Sequence, residues 1–104
     1  MKILCICEQG NTRSVGLAYI LKTLFNQDAI AIGYKKVGEE TLATMYNWAD
    51  KVVIFDENFH ILNDEPTKII RFNVGQDVWW NFKHQELVHR LYRELSKHPE
   101  LWQK

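Results

Sequence analysis

A cysteine, an arginine and a serine stand at positions 7, 13 and 14, in the segment Cys7-Glu8-Gln9-Gly10-Asn11-Thr12-Arg13-Ser14. It directly follows the apolar run at residues 2–6 and precedes a stretch with helical spacing, so it reads as the loop between a strand and a helix. Backbone N–H groups converging at a helix N-terminus are suited to hold the oxygens of a phosphate ester. Gly10 can take a positive φ without penalty, and Asn11 tolerates one better than most residues. Arg13 can offer a planar fork of donors to two phosphate oxygens. Cys7, at the near end, would face the phosphorus, and the arginine, helix dipole and N–H groups favour the thiolate that acts as nucleophile. Ser14 can hydrogen-bond the sulfur and stabilise it as a leaving group. The phosphate-binding set is thus Glu8, Gln9, Gly10, Asn11, Thr12, Arg13 and Ser14.

Displacing the ester oxygen also needs a proton donor. Asp77 is the first candidate, lying in a turn and followed by Val78, Trp79 and Trp80. Aromatic neighbours can exclude water and raise its carboxyl pKa, while Trp79 can wall the pocket and stack on an aromatic substrate. The acid would protonate the departing oxygen and then activate water against a phosphocysteine. Such two-step hydrolysis needs neither a metal nor a cofactor. Asp56, at the end of another strand, is the reserve acid, or else a helix N-cap. His60, His84, His89 and His98 are scattered without a carboxylate at ligand spacing, which argues against a metal site. Cys5 reads as a small core residue.

Alternating elements position these groups. Strands are expected at 2–6, 28–34, 51–55 and 68–72, and helices at 13–26, 38–49 and 82–97, with a weaker helix near 57–63. Val15, Ala18, Leu21 and Leu24 should form the inner face of the first helix. Leu42, Met45 and Ala49 should do so in the second, with Trp48 in the core and Tyr46 at the surface. Phe82, Leu87, Leu91 and Leu95 should do so in the last. The alternation predicts a small doubly wound, flavodoxin-like α/β domain with a four-stranded parallel sheet of order 2-1-3-4 and helices on both faces. In such sheets ligands bind beyond the carboxyl ends of the strands, the rim on which Cys7 and Asp77 should both emerge.

The totals agree with one domain over residues 1–104. Thirteen basic and thirteen acidic residues cancel, so bulk charge does not indicate nucleic-acid binding, and anion specificity must be local. The N-terminal apolar run is too short for a signal-peptide core, and none approaches membrane-spanning length. Two cysteines one residue apart make a disulfide framework implausible and fit a reducing cytoplasm.

With Cys7, Arg13 and Ser14 after the first strand and Asp77 and Trp79 near the C-terminus, the chain resembles the low-molecular-weight protein tyrosine phosphatase family. In that family the loop reads cysteine, five residues, arginine, serine, and a late Asp-Pro-Tyr supplies the acid and an aromatic wall. Asp77-Val78-Trp79 stands in its place here, and the order, cysteine first and acid late, is the family's. The segment NWADKVVIF is similar to compact bacterial relatives near this length. The chain departs from the pattern at Gly10, where asparagine is usual. It departs also at Thr12, often a second cysteine, at Val15, often proline, and in an acid loop without proline. The resemblance implies a tyrosine phosphatase-like hydrolase acting on a phosphorylated protein or a small aryl phosphate, as a monomer or weak homodimer. Two alternatives keep the loop: a non-catalytic phosphate-binding or regulatory module, and a phosphotransferase subunit phosphorylated on cysteine. The second has no need of Arg13. Arsenate reduction by a disulfide relay is weaker still, because Cys5 should lie back inside the sheet.

Overall fold

A computed structural model describes residues 1–61, 65–76, 78–79 and 81–103. The elements are β1 (Lys2–Cys7), α1 (Arg13–Phe25), β2 (Asp28–Gly33), α2 (Glu39–Trp48), β3 (Lys51–Ile54), β4 (Ile69–Arg71) and α3 (Gln85–Ser96). A single 3₁₀ turn, Pro99–Leu101, follows α3. The strands form one all-parallel sheet in the order β2-β1-β3-β4, the order the alternation predicts. β1 is central: its register runs from Lys2 opposite Asp28 to Cys7 opposite Gly33, and from Ile3 opposite Lys51 to Ile6 opposite Ile54. A strand covered on both faces is apolar throughout rather than alternating, and Ile3 to Cys7 are all fully buried.

Helices cover the two faces separately. Ile3, Cys5, Cys7 and Val53 point into a core closed by Leu17, Ala18, Ile20 and Leu21 of α1 and by Leu87, Leu91 and Leu95 of α3. Leu4, Ile6, Val52 and Ile54 point the other way, against Tyr46 and Ala49 and the flank of α2. Among the described residues, no helix is long and apolar enough to cross a membrane.

Several local readings change. α1 buries Gly16, Leu17, Ile20 and Leu21, whereas Leu24 is 60% exposed and Val15 only half-buried. The helix is wedged between the sheet and α3, so a second arc is covered: a Cβ on Gly16 would meet Leu91 Cδ1 at 3.0 Å. In α2 it is Tyr46 that is buried and Trp48 that is half-exposed. Tyr46 can enter because its hydroxyl accepts the Glu65 N–H at 2.8 Å and its ring carries Lys68 Nζ at 4.2 Å. No helix forms over the described part of 57–63; the chain makes a turn at residues 57–58, and residues 62–64 lie outside the described set. α3 starts at Gln85 rather than at 82, because His84 caps it, its Nδ1 accepting the Glu86 N–H at 3.2 Å.

The α3 stripe should carry much of the stability. Leu91→Ala removes a fully buried side chain between α1 and the sheet, and should cost about 2–5 kcal/mol in urea unfolding. Leu24→Ala, at an exposed position, should stay within about 0.5 kcal/mol. Equal losses at the two sites would contradict this packing.

Candidate active site

The loop from β1 to α1 is built on backbone contacts. β1 hands its last hydrogen bonds to the turn after β2: Tyr34 N donates to Cys7 O and Lys35 N to Glu8 O, both at 3.0 Å. Gly10 then takes φ +72°, the left-handed region where a side chain is strained. It lies against the backbone of β2: a Cβ on Gly10 would stand 2.4 Å from Gly33 N, and one on Gly33 would stand 2.2 Å from Gln9 C. Two glycines are therefore required for the loop to close down on the strand end. Thr12 O accepts the Gly16 N–H at 2.7 Å and opens α1.

That closure brings donors to the sulfur. Gly10 N–H points at Cys7 Sγ over 3.2 Å, and Ser14 Oγ lies 3.1 Å from the same sulfur. Both cysteines are fully buried, yet their settings differ. Burial first, and the neighbouring Cys7 second, push the Cys5 thiol far above its ordinary pKa, so Cys5 is an inert core residue. Cys7 stands at the foot of a polar loop.

Arg13 opens α1 and is only 2% exposed. Its guanidinium forms a parallel fork with Asp56, Nη1 to Oδ1 at 3.2 Å and Nη2 to Oδ2 at 3.4 Å, and Nη1 also donates to Gly75 O at 3.3 Å. The ring of Phe55 lies 6.0 Å from Arg13 Cζ. A buried guanidinium is tolerable only with such pairing, since an uncompensated buried charge costs several kcal/mol. Asp56 is held in turn by its backbone: Arg71 Nη1 donates to Asp56 O at 2.8 Å while Nη2 lies 3.2 Å from His60 Nδ1. Partial burial, then the Asp56 and Glu8 carboxylates, raise the Tyr34 phenol above its usual pKa.

Over Arg13 and Asp56 opens a cleft of about 450 Å³ bounded also by Glu8, Gln9, Gln76 and Val78, with Cys7 buried behind the loop rather than on the cleft wall. At its mouth Lys35 Nζ pairs with Glu8 Oε1 at 3.0 Å, a contact that lowers the Glu8 pKa and raises that of Lys35. The pair is solvated and adds little to stability.

The structure thus gathers Cys7, Gly10, Arg13 and Ser14 at one strand end, with Glu8 and Gln9 on the rim. Asn11 is exposed beside them and Thr12 is buried. Asp77 and Trp80 lie outside the described residues. Trp79 packs against α3 instead of bordering the cleft: its ring centre is 5.0 Å from that of His84 and 5.3 Å from Arg90 Cζ, and Val78 takes the place on the cleft. Sequence reasoning placed Asp56 on the correct rim but missed its pairing with Arg13. The available signal was an acidic residue ending the strand next to β1. Comparison with protein-family models, with curated proteins and with solved structures finds no match to the chain.

The two-glycine contact makes a direct test. Gly33→Ala should cost about 1–3 kcal/mol, because its Cβ meets backbone that cannot step aside. Gly38→Ala, where a Cβ meets nothing within 4 Å, should cost less than about 1 kcal/mol even as an N-cap change. Matching urea midpoints for the two variants would show that the loop does not rest on β2 as described.

Proposed function

We propose that this chain is a cysteine-dependent phosphomonoester hydrolase of the tyrosine phosphatase type, working in a reducing compartment on a phosphorylated protein or small aryl phosphate. The observation that carries the reading is the sulfur of Cys7, held between the Gly10 N–H and the Ser14 hydroxyl at the foot of a loop that ends in Arg13. A structural cysteine has no need of two polar partners. A sulfur that must carry negative charge does.

In the proposed reaction the phosphate oxygens lie on the backbone N–H groups of residues 8–13 and on the Arg13 guanidinium, whose plane Asp56 fixes. The Cys7 thiolate attacks phosphorus; the P–S bond forms as the bond to the ester oxygen breaks. That oxygen leaves with a proton from Asp77. Water then attacks the phosphocysteine, Asp77 takes its proton, the P–S bond breaks, and inorganic phosphate departs. Each time the sulfur becomes anionic, the Gly10 N–H and Ser14 Oγ are in place to stabilise it. Asp56 is the poorer acid, because both of its carboxylate oxygens are engaged by Arg13. Its part is to orient the arginine.

The two aspartates should therefore fail differently. Asp77→Asn should lower turnover of phenyl phosphate by about a hundredfold or more, and that of nitrophenyl phosphate much less, since a good leaving group departs without a proton. Inhibition by inorganic phosphate should be unchanged. Asp56→Asn should weaken phosphate inhibition and slow both substrates alike. A leaving-group-dependent loss in Asp56→Asn alone would move the acid to Asp56. No loss in either would leave a phosphate-binding module without turnover.

A further inference from the structure

Residues 73–75, which follow β4 and lead to the cleft wall at Gln76 and Val78, have no regular structure, yet charged side chains hold three successive backbone groups. Asn73 N–H donates to Glu94 Oε1 at 2.9 Å. Val74 O accepts from Arg90 Nη1 at 3.0 Å. Gly75 O accepts from Arg13 Nη1 at 3.3 Å. Arg90 and Glu94 are four residues apart on α3 and so lie one turn apart on one face. Their spacing matches two consecutive residues of an extended chain laid along the helix.

Each anchor is itself fixed. Glu94 is 7% exposed, and Lys97 Nζ reaches its Oε2 at 2.7 Å. Burial alone would raise the Glu94 carboxyl, but the Asn73 N–H, Lys97 and His98 outweigh it and hold it below the usual range, an ionised acceptor at neutral pH. Arg90 is braced by Glu86 Oε1 at 3.1 Å and packs over the Trp79 ring. Gly75, at φ +89°, lets the arginine in: a Cβ there would stand 2.9 Å from Arg90 Nη1. A carboxylate buried beside Leu91 and Leu95 is costly unless it does something an apolar residue could not. Here it takes the Asn73 N–H.

We propose that Arg90 and Glu94 are positioning residues for the catalytic acid: α3 fixes residues 73 and 74, and thereby sets where Gln76 and Val78, the residues on either side of the acid in sequence, border the cleft. This rests on the phosphatase reading. The clamp ends at Arg13, so the phosphate site and the acid loop share one anchor. Neither Arg90 nor Glu94 borders the cleft itself.

The test compares Arg90→Met, Arg90→Lys, Glu94→Leu and Glu94→Gln with wild type on phenyl and nitrophenyl phosphate, alongside inhibition by inorganic phosphate. Arg90→Met and Glu94→Leu should lower kcat on phenyl phosphate about tenfold or more, with a smaller loss on nitrophenyl phosphate. Phosphate inhibition should stay within about threefold, because the loop of residues 8–13 is untouched. Arg90→Lys and Glu94→Gln, which keep a donor and an acceptor, should recover most of the loss. Amide exchange at Asn73 should speed up in Glu94→Leu but not in Glu94→Gln. Losses equal on both substrates, or a matching rise in the phosphate inhibition constant, would reduce the two residues to general structural supports and overturn the inference. A wild type without turnover would instead overturn the phosphatase reading, and this inference with it.

Discussion

A buried arginine has to be answered from several directions at once, and Arg13 sets that demand at the first residue of α1. Asp56, just past β3, supplies the countercharge, and Gly75, past β4, supplies a carbonyl. The guanidinium therefore joins the first helix to the ends of two strands whose sequence positions are far apart. Removing Asp56 would take a paired carboxylate from a buried guanidinium, a cost that typically exceeds what the pair contributes when intact. The carboxyl rim of the sheet is organised around this contact, and the cleft opens directly over it.

The loop from β1 to α1 hangs from the same point. At one end Cys7 is fixed by β1, which pairs along its length with β2 and is buried on both faces. At the other end Arg13 is fixed by Asp56. Between them the chain must descend onto the end of β2, and the facing glycines at 10 and 33 allow it. The positive φ at Gly10 accompanies an N–H aimed at the sulfur, while the first turn of α1 carries Ser14 Oγ to 3.1 Å from it. Strand pairing and a steric allowance thus fix two groups around one atom, and an ion pair holds the far end of the loop.

Much of this was legible in the sequence, for physical reasons. β1 and β3 are apolar without alternation, as strands covered on both faces must be, and the alternation of strand and helix signals fixes a parallel sheet. The thiol, glycine and arginine spacing is local, so the loop could be read from adjacent residues. What could not be read is what depends on distant partners. Asp56 in isolation is a strand-end carboxylate, equally an acid or a cap; its role is decided by an arginine that only the folded sheet brings near. Tyr46 looked more exposed than Trp48 because nothing local reveals that Glu65 offers an N–H to its hydroxyl. Leu24 fits the helical period but is left 60% exposed, and Glu94, a charged residue in a leucine stripe, is buried because its carboxylate accepts the Asn73 N–H, a partner that only the fold supplies.

The central claim is that the sulfur of Cys7, in this setting, does chemistry. The most direct measurement is steady-state hydrolysis of nitrophenyl phosphate in excess chelator by wild type beside Cys7→Ser, a change of one atom that leaves the Gly10 and Ser14 contacts geometrically possible. The account predicts metal-independent turnover by wild type and a loss of about a thousandfold or more in the variant, the scale expected when a nucleophile is removed. Turnover that survives in Cys7→Ser, or that disappears with the chelator and returns with a divalent ion, would contradict it.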